Sequence, residues 1–123
     1  MYTLTVETKF SSAHQLREYK GKCENLHGHS WRVRVCVTAQ RLNRIGIAMD
    51  FTDLKGITGE VVGPLDHTCL NDLPQFTDIN PSSENIAHWI FDSMKVKLAG
   101  HEVTLKSVTV WESETSSATY TEE

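Results

Sequence analysis

Apolar and polar residues alternate along two stretches of the chain, a period of two that predicts half-buried strands. Over residues 3–10, Leu4, Val6, Thr8 and Phe10 share one face, and Thr3, Thr5, Glu7 and Lys9 take the other. A second run sets Trp31, Val33, Val35, Val37 and Ala39 opposite Arg32, Arg34, Cys36 and Thr38, and is the clearest strand in the sequence. The period then changes. Leu54, Ile57 and Val61 recur at helical spacing over 51–62, although Gly56 and Gly59 weaken that helix by about 1 kcal/mol each relative to alanine. A stronger helix follows Pro81: Ser82 is placed to cap it, Ile86, Ala87, Ile90, Met94 and Leu98 form its apolar stripe, Trp89 and Phe91 widen the stripe, and Gly100 ends it. Two strand-like runs, 103–111 and roughly 118–120, close the chain.

The order strand, strand, helix, helix, strand, strand predicts an α+β domain, with an antiparallel sheet covered on one face by two helices. No internal repeat or Gly/Ser-rich linker interrupts residues 1–123, so a single domain is expected. A small sheet of this kind leaves one face and its edges uncovered. Joining sheets between subunits is one way to cover them, and a homo-oligomer is therefore expected.

Composition narrows the function classes. The 123 residues are 39% hydrophobic and 23% charged, and no apolar run approaches the roughly 20 residues of a membrane-spanning helix. Twelve Lys and Arg against sixteen Asp and Glu leave a formal charge of -4, without the basic field of a non-specific nucleic-acid binder. A local basic pocket for a small anion remains open. The first residues lack the basic and apolar segments of a secretory signal, and three cysteines, Cys23, Cys36 and Cys69, make an odd number. Reduced thiols in a cytoplasmic protein are the expectation.

Six histidines in so short a chain direct attention to their spacing. His27 and His29 flank Gly28 at the start of the second strand, where residues two apart lie on one face about 6.6 Å from each other along it. They either converge on one metal ion or stand as an exposed strand end. His14 has the parity of Leu4, Val6 and Phe10, so it supplies a third imidazole if the first strand continues that far; three protein ligands and an open position are common in catalytic zinc sites. Cys23, four residues before His27, reads as a reactive thiol favoured by a nearby cation, as a fourth ligand, or as a small loop residue. Cys36 and Cys69 read as packing residues, and His88 and His101 as surface groups.

Two carboxylates add to the picture. Asp66 precedes His67, an order in which a carboxylate orients an imidazole for proton transfer, although most such pairs do nothing of the kind. Glu112 shares the parity of Val108 and Val110 at a strand end. It is either a solvated terminus or a carboxylate at a pocket edge, suited to accepting two parallel N–H bonds from a guanidine-like ligand edge.

Together, Phe10-Ser11-Ser12-Ala13-His14, Cys23-x-x-x-His27-Gly28-His29, Gly46-Ile47-Ala48-Met49-Asp50-Phe51, Leu65-Asp66-His67-x-x-Leu70-Asn71, Asn80-Pro81-Ser82-Ser83-Glu84-Asn85 and Trp111-Glu112-Ser113 resemble the 6-pyruvoyltetrahydropterin synthase superfamily. The likeness spans essentially the whole chain. It is greatest to the bacterial queuosine-pathway branch, the 6-carboxytetrahydropterin synthases, through the three-residue spacer between Cys23 and His27 and the stretch Met49-Asp50-Phe51. Gln15 departs from the arginine that many relatives carry after the first zinc histidine, and Ser117 and its neighbours differ from common versions of the last turn.

The resemblance implies a tunnelling fold: a four-stranded antiparallel sheet with two helices between strands 2 and 3, whose copies, as a hexamer or tetramer, close a barrel with active sites between subunits. It implies Zn²⁺ on His14, His27 and His29, Cys23 as the general base, Asp66 and His67 as proton-relay partners, and Glu112 as the pterin anchor helped by Ser82 and Ser83. The implied substrate is 7,8-dihydroneopterin triphosphate, converted to 6-carboxy-5,6,7,8-tetrahydropterin, acetaldehyde and triphosphate. Arg17, Lys20 and Lys22 are loop-charge candidates for the triphosphate. Three alternatives stay open: a pyruvoyl-forming reaction on the same residues, a non-catalytic zinc- or pterin-binding oligomer of the same fold, and a zinc hydrolase that makes no use of Cys23.

Overall fold

The computed structural model describes residues 1–21 and 24–122. Five strands and two α-helices follow one another as β1 (Tyr2–His14), β2 (His27–Ala39), α1 (Phe51–Val62), β3 (Thr68–Cys69), α2 (Ser83–Leu98), β4 (Thr104–Ser113) and β5 (Ser116–Tyr120). They form one sheet in the order β3-β1-β2-β4-β5. β1, β2, β4 and β5 pair antiparallel, as the alternation predicts. The sheet is nonetheless five-stranded and mixed, which corrects the expected four antiparallel strands: β3 pairs parallel to β1 through Ser12–Thr68 and Ala13–Cys69. Two residues are too few to show a period. Side-chain contacts fix β3 instead, with the Ser12 hydroxyl against the Leu65 carbonyl and Thr68, and the His67 N–H donating to the Ser11 carbonyl at 2.7 Å.

The first strand continues past Phe10 to His14, and that extension sets the site. Its register places Val6 against Val35, Phe10 against Trp31 and His14 against His27, so opposed residues share a face. On that face Val6, Phe10, Trp31, Val33, Val35, Val37, Val108 and Val110 are buried beneath the helices. α1 contributes Leu54, Val61 and Val62, and α2 contributes Ile86, Ala87, Ile90, Phe91, Met94 and Leu98. Both helices start on side-chain caps. The Asp50 carboxylate accepts the Thr52 N–H at 2.8 Å, and the Ser82 hydroxyl accepts the Asn85 N–H at 3.1 Å. Gly100, at φ 95, turns the chain out of α2.

The opposite face of the sheet is polar. Glu7 pairs with Arg34 at 2.7 Å and with Arg32 at 3.6 Å, and the Arg32 guanidinium lies 3.9 Å from the centroid of Trp111. What this sheet leaves open is its edges: β3 covers β1 only at Ser12 and Ala13, and β5 is terminal. Among the described residues no helix is long and apolar enough to cross a membrane.

Candidate metal centre and adjoining carboxylates

Strand geometry assembles three imidazoles at one end of the core face. His27 and His29 project from the same side of β2, and His14 stands directly across from His27. Trp31 lies beneath them, fully buried, with its ring 4.9 Å from that of His14 and 5.1 Å from that of His29. The floor of the site is therefore apolar, which strengthens every charge interaction above it.

The hydrogen bonds at the far side of two rings settle their tautomers. His14 Nδ1 faces the Pro81 carbonyl at 2.8 Å, and His27 Nδ1 faces the Asn25 carbonyl at 2.7 Å. A carbonyl only accepts, so both Nδ1 atoms donate and each Nε2 presents its lone pair. Those two Nε2 atoms are 3.1 Å apart. Facing lone pairs at that distance repel unless a cation lies between them. Two nitrogens bound to one tetrahedral zinc at 2.0–2.1 Å would be about 3.3 Å apart, close to the observed separation.

His29 completes the set. Among the described residues its Nε2 is buried and without a hydrogen bond, although Glu112 Oε1 is 3.0 Å away. Burial, opposed by Glu112 and reinforced by His14 and His27, holds the His29 pKa below its ordinary value and keeps the ring in the neutral, ligating form. Ligand atoms of His14, His27, His29 and Glu112 all lie within 4.8 Å of one another. Carbonyl-oriented imidazoles with an orphaned buried nitrogen fit a divalent metal.

Glu112 stands at the end of β4 with its Oε2 3.3 Å from the Ser83 hydroxyl, in the first turn of α2. Ser83 thus joins the site's edge, while the Ser82 hydroxyl accepts the Asn85 N–H as the helix cap. Asp66 and His67 lie outside the four-residue group. Asp66 Oδ1 accepts the Ser11 N–H at 2.8 Å, and its Oδ2 is 2.9 Å from His67 Nδ1. The Ser11 N–H, and then His67, hold the Asp66 carboxyl below its usual range. His67, at φ 55, carries a side chain that is 83% exposed and directed away from the core. Cys23 and Lys22 fall outside the described residues.

Several residues in the loop between β1 and β2 have parts that sequence reasoning missed. The Arg17 guanidinium donates to the carbonyls of Phe76, Ile79 and Asn71 at 2.8, 3.2 and 3.3 Å, so it staples two loops together. The Asn71 side chain bonds both the N–H and the carbonyl of Gln15 at 2.9 Å, which fixes Gln15 through its backbone whatever its side chain. Glu24 reaches to 3.9 Å from His27 Nε2. Its place three residues before His27 was the available signal.

The described residues thus form an α+β domain with three convergent imidazoles and a carboxylate at one sheet end, a group that could hold a metal ion. Residues 3–123 match the family described as 6-pyruvoyl tetrahydropterin synthase, and the chain belongs to that family. It is 43% identical to a 6-carboxy-5,6,7,8-tetrahydropterin synthase of Synechocystis over 98% of this chain and 93% of that one. It is 35% identical to the human 6-pyruvoyl tetrahydrobiopterin synthase, over 92% of this chain and 79% of that one. Among solved structures, the 6-pyruvoyl tetrahydropterin synthase of Caenorhabditis elegans superposes with a TM-score of 0.87 at 27% identity, covering 99% of this chain and 96% of the other.

Proposed function

We propose that this chain is a zinc-dependent 6-carboxy-5,6,7,8-tetrahydropterin synthase acting in queuosine biosynthesis in the cytoplasm. The observation that carries the metal part is the convergence of the lone pairs of His14 and His27 beside the orphaned Nε2 of His29. Near full-length similarity to the Synechocystis enzyme supports the choice of reaction.

His14, His27 and His29 would hold Zn²⁺, which when bound supplies Lewis acidity toward the side-chain oxygens of 7,8-dihydroneopterin triphosphate. Glu112 anchors the pterin: an ionised carboxylate accepts two parallel N–H bonds from the ring edge, and Ser83 orients one of its oxygens. Cys23 takes the proton from the substrate side chain as a thiolate, the form that acts as base. Asp66 holds His67 by its Nδ1, leaving Nε2 to give or take protons during redistribution to the ring. The side chain is oxidised as the ring is reduced, so the substrate and one water account for triphosphate, acetaldehyde and the carboxypterin without a redox cofactor.

The dyad and the metal cluster belong to different parts of one chain, and the open edges of β1 and β5 suit pairing between copies. The account therefore places the active site between subunits of a homo-oligomer, with His67 serving the cluster of a neighbouring copy. The test is incubation of zinc-loaded protein with 7,8-dihydroneopterin triphosphate and mass identification of the products. Acetaldehyde with 6-carboxytetrahydropterin is expected. A 6-pyruvoyl product without acetaldehyde would establish the reaction of the human relative, and no turnover at full zinc loading would overturn the enzymatic reading.

A further inference from the structure

The loop that joins β1 to β2 is tied down at Gln15, Leu16, Arg17 and Glu24, and the ties aim a carboxylate that the mechanism above leaves unused. Asn80 bonds both the N–H and the carbonyl of Arg17, at 2.8 and 3.0 Å, as Asn71 does for Gln15. On the return leg the Glu24 N–H donates to the Leu16 carbonyl at 3.0 Å, while the Leu16 N–H donates to Glu24 Oε1 at 3.1 Å. This reciprocal pair folds the Glu24 side chain inward. It is 24% exposed and brings Oε1 to 3.9 Å from His27 Nε2, the atom that faces His14.

The charge count gives that placement a purpose. Three neutral imidazoles leave a divalent cation uncompensated, and Glu112 cancels half of it. Glu24 supplies the second negative charge, above an apolar floor where charges a few ångströms apart interact strongly. At 3.9 Å from the ligand nitrogen, with Oε1 already engaged by the Leu16 N–H, it is placed to act through its field.

We infer that Glu24 is a further member of the metal site, an outer carboxylate that raises cation affinity by charge while its bond to Leu16 holds the loop. The inference rests on the metal reading of His14, His27 and His29. Outer-shell partners of metal ligands typically contribute about 10–100-fold in affinity.

The competing role is a loop staple alone, and Glu24→Gln separates the two because glutamine keeps an oxygen for the Leu16 N–H and loses only the charge. Zinc affinity of the full-length protein would be measured by competition with a chromogenic chelator for wild type, Glu24→Gln, Glu24→Ala and the exposed-loop control Glu18→Gln. Expected is affinity about tenfold weaker or more in Glu24→Gln, an unchanged melting curve of its metal-free form, and wild-type affinity in Glu18→Gln. The Co²⁺ absorption bands of Glu24→Gln should keep their wild-type positions, since the inner ligands are intact. Affinity within about twofold of wild type in Glu24→Gln, whatever Glu24→Ala does, overturns the inference and leaves the metal reading standing. Failure of the wild type itself to bind zinc overturns the metal reading, a result visible before any variant is measured.

Discussion

Two histidine sites in this chain are built in opposite ways. His14 is 2% exposed, is oriented by a main-chain carbonyl, and meets His27 and His29 through the register of one strand pair. His67 has a side chain that is 83% exposed, its ring is oriented by its neighbour Asp66, and it sits on a turn with positive φ. The first arrangement is finished within the chain, because buried ring nitrogens fixed at one end leave the other end no freedom. The second is prepared but unfinished: an oriented imidazole on a surface needs something brought to it. Under the proposed function, the difference separates a group that binds from a group that is donated.

Substitutions should divide along the same line. His27→Ala should have the largest effect, reducing zinc content by elemental analysis from about one ion per chain to about a tenth or less and abolishing turnover; undiminished zinc would remove the ligand assignment. Cys23→Ala should keep its zinc and lose about 10²–10⁴-fold in turnover, the usual contribution of a positioned base. Turnover equal to wild type there would favour a metal-bound hydroxide over a thiolate. Asp66→Asn should also retain zinc and fall by about 10²-fold in turnover, with little change in KM. Glu112→Gln should chiefly weaken binding of a pterin analogue, by about tenfold, as expected for loss of a charge-assisted bond; unchanged affinity would end its role as anchor.

A smaller effect sharpens the comparison through pH. Because Ser11 and His67 lower the Asp66 pKa in the folded chain, the interaction is fully present above the ordinary carboxylate range and is lost as pH falls through the lowered value. The difference in melting temperature between wild type and Asp66→Asn should therefore be greatest near neutrality and vanish in acid. A difference that grows on acidification would contradict the contact.

Much of this was legible along the chain, for definite reasons. Long alternating runs gave β1 and β2, parity put His14 with His27 and His29, and Ser82 marked the start of α2. β3 was not legible, since two residues carry no period and their pairing depends on Ser12, 56 residues away from Thr68. Arg17 read as a free loop charge because its partners, the carbonyls of Asn71, Phe76 and Ile79, are 54–62 residues distant. A sequence displays charge, but whether a charge is already satisfied depends on the backbone that folding brings to it. Ser82 illustrates the converse, a residue placed beside the site whose hydroxyl also accepts an N–H as the cap of a helix N-terminus.

The central claim is that the half-buried cluster of one copy and the exposed dyad of another make one active site. The most direct measurement mixes two inactive variants, His27→Ala and His67→Ala, by denaturing and refolding them together in equal amounts with zinc, with hetero-oligomers verified by native mass spectrometry. Turnover should return to about a quarter of wild type, the statistical share of pairings between subunits in which both histidines are intact. Mixed oligomers that form and remain as inactive as either parent would contradict the claim.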